Sequence, residues 1–253
     1  PFNGSLPHLL NARNTALIGT DALTLQWQSV AGASSYTVEI TGKDLDWKVE
    51  DVTGTEVVFD ELASLAPDYR YTVVITTDEG ISTESEESVG FALLPEAERD
   101  RIKDQVDLIK AEQRAPDEEV LAIALEYFEF EHSDPDRGSY ALNQSVIDVL
   151  DSRIQAGTDD SRVYVLQADT YLRIGLPLLA QERYEEALTY AQAAGQQELQ
   201  AESHWGLGDV AAGQTEYADA IEHLQAAQML YQDLGDLEQV EDLQTRIEYY
   251  RLR

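Results

Sequence analysis

Two consecutive stretches of this chain, Ser161 to Gln200 and Ala201 to Val240, are copies of one unit offset by 40 residues. Ala168, Tyr171, Ala180, Tyr184 and Ala187 in the first copy stand where Gly208, Ala211, Ala220, Leu224 and Ala227 stand in the second. Small residues at a fixed offset within paired helical patterns are what closely packed helix hairpins require, because only a small side chain lets two backbones approach. The C-terminal half is therefore expected to be an all-α helical repeat array. Such an array offers a surface for binding rather than a centre for chemistry, so it points to a class of function without pointing to the partner.

Before the repeats the periodicity is different. From Thr15 to Leu93 the apolar residues mostly alternate, the mark of strands buried on one face. Leu23, Leu25 and Trp27 share one face of a strand; after the Ala31-Gly32-Ala33-Ser34-Ser35 turn, Tyr36, Val38 and Ile40 share a face of the next, as Tyr71, Val73 and Ile75 do later. Short strands separated by turn signals predict an antiparallel, all-β sandwich. The run Leu25-Gln26-Trp27, the Gly32-Ala33 turn and Tyr36-Thr37-Val38 resemble the second and third strands of a fibronectin type III domain, and Leu65-Ala66-Pro67-Asp68-Tyr69-Arg70-Tyr71 resembles that family's approach to its sixth strand. The resemblance implies that Trp27 is the core indole and Tyr71 a corner tyrosine whose hydroxyl bonds back to nearby backbone. It also implies a spacer or docking platform. Trp47 is expected in the sandwich core or an interdomain contact rather than as an exposed sugar- or protein-binding aromatic. The acidic loop Thr77-Asp78-Glu79-Gly80 and the run Glu84 to Glu87 are read as solvated carboxylates rather than a calcium site.

Pro95 ends the strand pattern, which divides the chain into a β domain over 1–95 and a helical domain over 96–253. Residues 96–115 form a linking helix in which Ile102, Val106 and Ile109 recur at helical spacing, and residues 116–157 form a loose hairpin. Pro116-Asp117-Glu118-Glu119 opens a helix expected to run to about His132, with proline in the first turn and carboxylates at the positive end of the dipole. Ser133-Asp134-Pro135-Asp136-Arg137-Gly138 breaks it as a turn, since the ligands that should follow Asp134 and Asp136 in a calcium loop are missing, and a second helix is expected over Ser139 to Ala156. From Ser161 onward Leu207-Gly208, Ala220, Ala227 and Tyr217-Ala218-Asp219-Ala220-Ile221 resemble the tetratricopeptide repeat in a longer form; the first copy matches through Tyr164, Ala168, Tyr171, Gly175, Ala180, Tyr184 and Ala187, with Gln167 where leucine is expected. Repeats over 161–200 and 201–235 are followed by a capping helix over 236–253, giving a TPR-like array of about eight helices after the sandwich.

In the tetratricopeptide family the first helix of each hairpin lines a concave groove. The resemblance places Arg162, Val165, Asp169, Leu172 and Arg173 there from one repeat, and Glu202, Trp205, Asp209 and Ala212 from the next. Trp205 is the expected anchor, a large rigid contact of the kind whose truncation costs about 2 kcal/mol or more at an interface; the alternative is packing against a neighbouring helix. The mixed charges of Arg162, Arg173, Asp169 and Asp209 suit a peptide or protein ligand carrying both signs.

Composition narrows the partners. A net charge of -32, from 17 basic and 49 acidic residues, argues against nucleic acid or an anionic membrane surface, would steer in a partner with basic segments, and otherwise serves solubility. There is no cysteine, which removes disulfides, thiolate metal sites and cysteine nucleophiles. No apolar run reaches the roughly 18 residues a membrane span needs. His8, His132, His204 and His223 are dispersed, His204 is expected in the core, and no catalytic signature occurs, so no metal, cofactor or enzymatic activity is expected. The leading expectation is a non-enzymatic protein-interaction scaffold or adaptor of bacterial, extracytoplasmic type, for which the module pairing and the start at Pro1 speak. The alternatives are an intracellular, cytoplasmic peptide-responsive regulator and an accessory subunit of an extracytoplasmic complex with glycan contact. Oligomeric state stays open.

Overall fold

The structure is a computed structural model that describes residues 6–19, 21–86, 89–134 and 138–253, with backbone only for 131–134 and 138–140. It divides into two compact units, the first ending at Val149 and the second comprising Leu150–Arg253.

The first unit begins with seven strands: β1 (Thr15–Leu17), β2 (Leu23–Gln26), β3 (Tyr36–Gly42), β4 (Leu45–Val52), β5 (Glu56–Phe59), β6 (Arg70–Thr77) and β7 (Gly90–Leu93). They form a five-stranded sheet in the order β1-β7-β6-β3-β4 and a two-stranded sheet of β2 and β5. All pairings are antiparallel except β1 with β7. The alternating pattern explains which faces meet: Tyr36, Val38 and Ile40 of β3 and Tyr71, Val73 and Ile75 of β6 are buried, and they share one core with Leu25 and Phe59 from the other sheet. Trp27 is buried with its ring edge-on to Tyr36 at 5.5 Å. The Tyr71 hydroxyl accepts the Ala66 backbone N–H at 2.9 Å, tying the loop before β6 to the strand. Trp47 packs edge-on against Phe59 at 5.3 Å, on the core side of β4.

Two helices, α1 (Glu96–Ala111) and α2 (Pro116–Glu129), continue this unit. Ile102 and Val106, with Ile109 beside them, close over Ala16 of β1 and over Ala92 and Leu94 at β7, and Ile123, Phe130 and Leu142 extend the same apolar cluster. The stripe that makes α1 amphipathic is thus spent on the outer face of the β1–β7 pair. The hairpin expected to follow differs from its prediction. The helix expected to reach His132 stops at Glu129, and two strands, β8 (Glu131–Asp134) and β9 (Gly138–Ala141), pair with each other. Ladder pairing satisfies the backbone groups that helix continuation would have used, so α3 starts only at Asn143 and ends at Gln155. The expected turn at Pro135, Asp136 and Arg137, like Glu87 of the acidic run, lies outside the described residues.

The second unit carries the repeats: α4 (Ser161–Arg173), α5 (Pro177–Ala194), α6 (Gln197–Gly213), α7 (Tyr217–Leu234) and α8 (Leu237–Arg251). The offset read in the sequence recurs in the backbone. Gly195 and Gly235 end α5 and α7 with φ of 67° and 78°, and the next residues donate back to Ala191 and Tyr231 at 2.9 and 3.0 Å. Between the helices of each hairpin, Gly175 and Thr215 take the same left-handed conformation, with φ of 76° and 66°. Ala168, Ala180, Ala187, Ala220 and Ala227 are fully buried, and a methyl group on Gly208 would come within 2.7 Å of Leu224. Small residues mark the hairpin contacts because the helices leave no more room. Gln167, where leucine was expected, is fully buried and donates to Asp151 at 2.8 Å.

Candidate binding cleft

On the second unit a cleft of about 250 Å³ is lined by Val165 and Asp169 from α4, Tyr184 from α5, Glu202, Trp205, Gly206 and Asp209 from α6, and Tyr231 from α7. Helical spacing explains the set. Val165 and Asp169 are four apart, Glu202, Trp205, Gly206 and Asp209 follow three- and four-residue steps, and such residues share a face. Asp169 and Asp209 are equivalent positions in the two copies, so the repeat sets one carboxylate beside the other.

The two are held differently. Asp209 lies against both terminal guanidinium nitrogens of Arg246 from α8, at 2.8 and 3.1 Å. Arg246 lies 5.5 Å from the Trp205 ring centroid, while Tyr231 meets the same indole edge-on at 6.2 Å. Asp169 accepts the Tyr184 hydroxyl at 2.5 Å instead. Burial raises the Asp169 carboxyl above its usual range; the Tyr184 hydrogen bond and the nearby Arg173 charge work the other way, and Asp209 adds to the rise. Burial likewise raises Asp209, against the pull of Arg246 and Trp205. Glu202 is raised by burial and then by the negative charges of Glu198 and Asp169. Among the described residues it makes no ion pair. The phenols respond in the same sense: burial and Asp169 push Tyr184 far up, and burial with Glu202, Glu198 and Asp236 pushes Tyr231 up to about 12.

Five of the nine residues expected at the groove, Val165, Asp169, Glu202, Trp205 and Asp209, are brought together in this cleft, and half-buried Ala212 lies outside its lining. Arg162 lies outside the lining, where its guanidinium turns back to Asp160, the residue that caps α4, at 2.6 Å. Leu172 and Arg173, near the C-terminal end of α4, also lie outside it; Leu172 is half-buried and Arg173 exposed. Trp205 packs against Tyr231 and also lines the cleft. Sequence reasoning missed Tyr184, Gly206, Tyr231 and Arg246. A signal existed for one of them: Tyr184 is where the second copy has Leu224, and a hydroxyl in place of a methyl group at a packing position calls for an acceptor. His204, expected in the core, is half-buried and sits with its Nδ1 3.2 Å from Nδ1 of His223 on the partner helix of the hairpin; burial and then His223 hold its pKa down.

Carboxylates, an indole and phenols around an open cleft can hold a polar or cationic side chain, and they assemble no nucleophile with a base and no group of three metal ligands among the described residues. Fold and cleft define the second unit as a module of repeated helix hairpins. No protein-family model matches the chain, and no curated protein matches it. Among solved structures it is similar to the crystal structure of MamA protein, at 18% identity over 60% of this chain and 82% of that one with a TM-score of 0.37. A second MamA crystal structure is similar at 16% identity, over 62% of this chain and 95% of that one, also with a TM-score of 0.37.

Proposed function

We propose that the chain is a non-enzymatic interaction scaffold whose helical repeats hold a peptide or protein segment in the Trp205 cleft. The observation that carries this reading is the convergence of Trp205, Asp169, Glu202 and Asp209 on one open cleft between hairpins of a repeat. A half-buried indole gives a large contact at low entropic cost, and the carboxylates around it fix orientation. The strand region serves as a spacer or second docking module of fibronectin type III-like kind. The buried Trp27, the Tyr71 hydroxyl bonded to Ala66 and the two sheets around one core support that reading.

Affinity capture from the native source, with wild-type and Trp205→Ala proteins compared by mass spectrometry, tests the function. A specific protein retained by the first and lost from the second is expected. Identical captures for the two would refute binding at this cleft.

A further inference from the structure

The protein contains its own example of how the cleft takes a cation. Arg246 of α8 lies over the Trp205 ring, donates a hydrogen bond to Asp209 Oδ2 at 3.1 Å and brings its other terminal nitrogen within 2.8 Å of Asp209 Oδ1 as an ion pair. Stepping back by the 40-residue offset carries Asp209 to Asp169 and Arg246 to Gly206. At the earlier position the carboxylate is retained, but the residue that would supply the cation has no side chain. Tyr184 fills part of that space and donates to Asp169, and a phenol hydroxyl satisfies a lone pair without cancelling a charge; the Arg173 charge acts on Asp169 from outside the lining of the cleft.

Glu202 adds a second carboxylate on the same wall. It is half-buried and lacks an ion pair among the described residues, and its nearest charged influences are Glu198 and Asp169, both negative. Its raised pKa records that mismatch in the same sense. Beside Val165, Gly206 and Asp209, the half-buried Trp205 and the buried Tyr231 add ring surface that suits a delocalised cation.

Building on the scaffold reading above, we propose that the cleft between Asp169, Glu202 and Trp205 receives the guanidinium of an arginine presented by the partner polypeptide, repeating on the partner's behalf the contact that Arg246 makes with Asp209. The acidity of the chain, net -32, favours the approach of such a segment.

The test is selection of random twelve-residue peptides displayed on phage against the intact chain. Selected peptides are remade with each arginine as citrulline, which keeps the shape and removes the charge, and measured against wild-type, Glu202→Gln and Trp205→Ala proteins. The expected result is a shared arginine whose replacement by citrulline weakens binding on the order of tenfold or more, as loss of a charged hydrogen bond does. Glu202→Gln should weaken the arginine peptide by a similar factor and leave the citrulline peptide unaffected. Peptides that depend on Trp205 yet carry no required arginine, or that bind Glu202→Gln as well as wild type, overturn this proposal and leave the scaffold reading standing. No selected peptide that depends on Trp205 removes both. Because the citrulline change is made in the peptide, a folding defect in a protein variant cannot imitate the result.

Discussion

Replacing Gly206 by alanine should destabilise the helical unit even though alanine is the better helix former. A methyl group built on Gly206 would lie 2.2 Å from Tyr184 Cζ and 2.3 and 2.6 Å from the two flanking ring carbons. Carbon atoms rest at about 3.5–4.0 Å, so the ring would have to retreat by more than an ångström. It has nowhere to go: Tyr184 is 2% exposed, and its hydroxyl is tied to Asp169 at 2.5 Å. Overpacking of this kind costs about 1–3 kcal/mol, while the change from glycine to alanine inside a helix returns up to about 1 kcal/mol. The net loss should be up to about 2 kcal/mol, toward the upper end because the ring cannot retreat. Gly213, the last residue of the same helix, supplies the control, because a methyl group there meets nothing within 4 Å. Gly213→Ala should be neutral or stabilising by a few tenths of a kcal/mol. Urea unfolding followed by helical circular dichroism would therefore move the two midpoints in opposite directions. A Gly206→Ala protein as stable as Gly213→Ala would refute the claim that Gly206 is set by the Tyr184 ring.

The other expectations concern strain and charge. Thr215 is β-branched in the left-handed conformation that Gly175 adopts one repeat earlier, so Thr215→Gly should raise the unfolding midpoint by about 1 kcal/mol in stability, and a lower midpoint would contradict the strain. In the first unit, burial acts to raise Glu86, but hydrogen bonds and charges from His8 and Arg13 outweigh it and hold the carboxyl below its ordinary 4.5. Its contribution is therefore complete above pH 4.5 and fades as the pH falls through the lower folded value; acid melting curves should be flatter for Glu86→Gln than for wild type, and equal slopes would count against the pairing. Glu202 has the opposite sign. Its raised pKa means that the charged form weakens the helical unit, so its favourable contribution is present below its ordinary 4.5 and is lost as the pH rises through the raised value. Glu202→Gln should then be more stable than wild type at pH 7, by up to about 1 kcal/mol, and indistinguishable from it near pH 4; a variant less stable at pH 7 would mean that Glu202 has a favourable partner.

How much of this could be read without coordinates depends on whether the signal is local. The 40-residue offset was legible because each hairpin repeats the same close contact, and the buried alanines and the Gly195 and Gly235 helix ends stand where it requires. The faces of β3 and β6 were legible for the same reason, since alternation along an extended strand decides burial residue by residue. The β8–β9 hairpin was not, because Glu131–Asp134 and Gly138–Ala141 carry no alternation of apolar residues and take their strand state from pairing with each other.

The cleft divides along the same line. Val165, Asp169, Glu202, Trp205 and Asp209 could be placed from the sequence, because three- and four-residue spacing fixes which side chains share a face of each helix and the repeat resemblance implies which face lines the groove. Arg162 could not: on spacing it belongs with them, and only the coordinates show it folded back on the Asp160 cap. What completes the cleft comes from other helices, the Tyr184 hydroxyl on Asp169 and the Arg246 guanidinium on Asp209. Those partners lie 15 and 37 residues away in sequence. Sequence alone determined the repeat and the face that each helix presents, since both follow from the helical period. Only the packing of separate helices decided which carboxylate pairs directly with a guanidinium and which accepts a phenol hydroxyl, because that depends on distances no period contains.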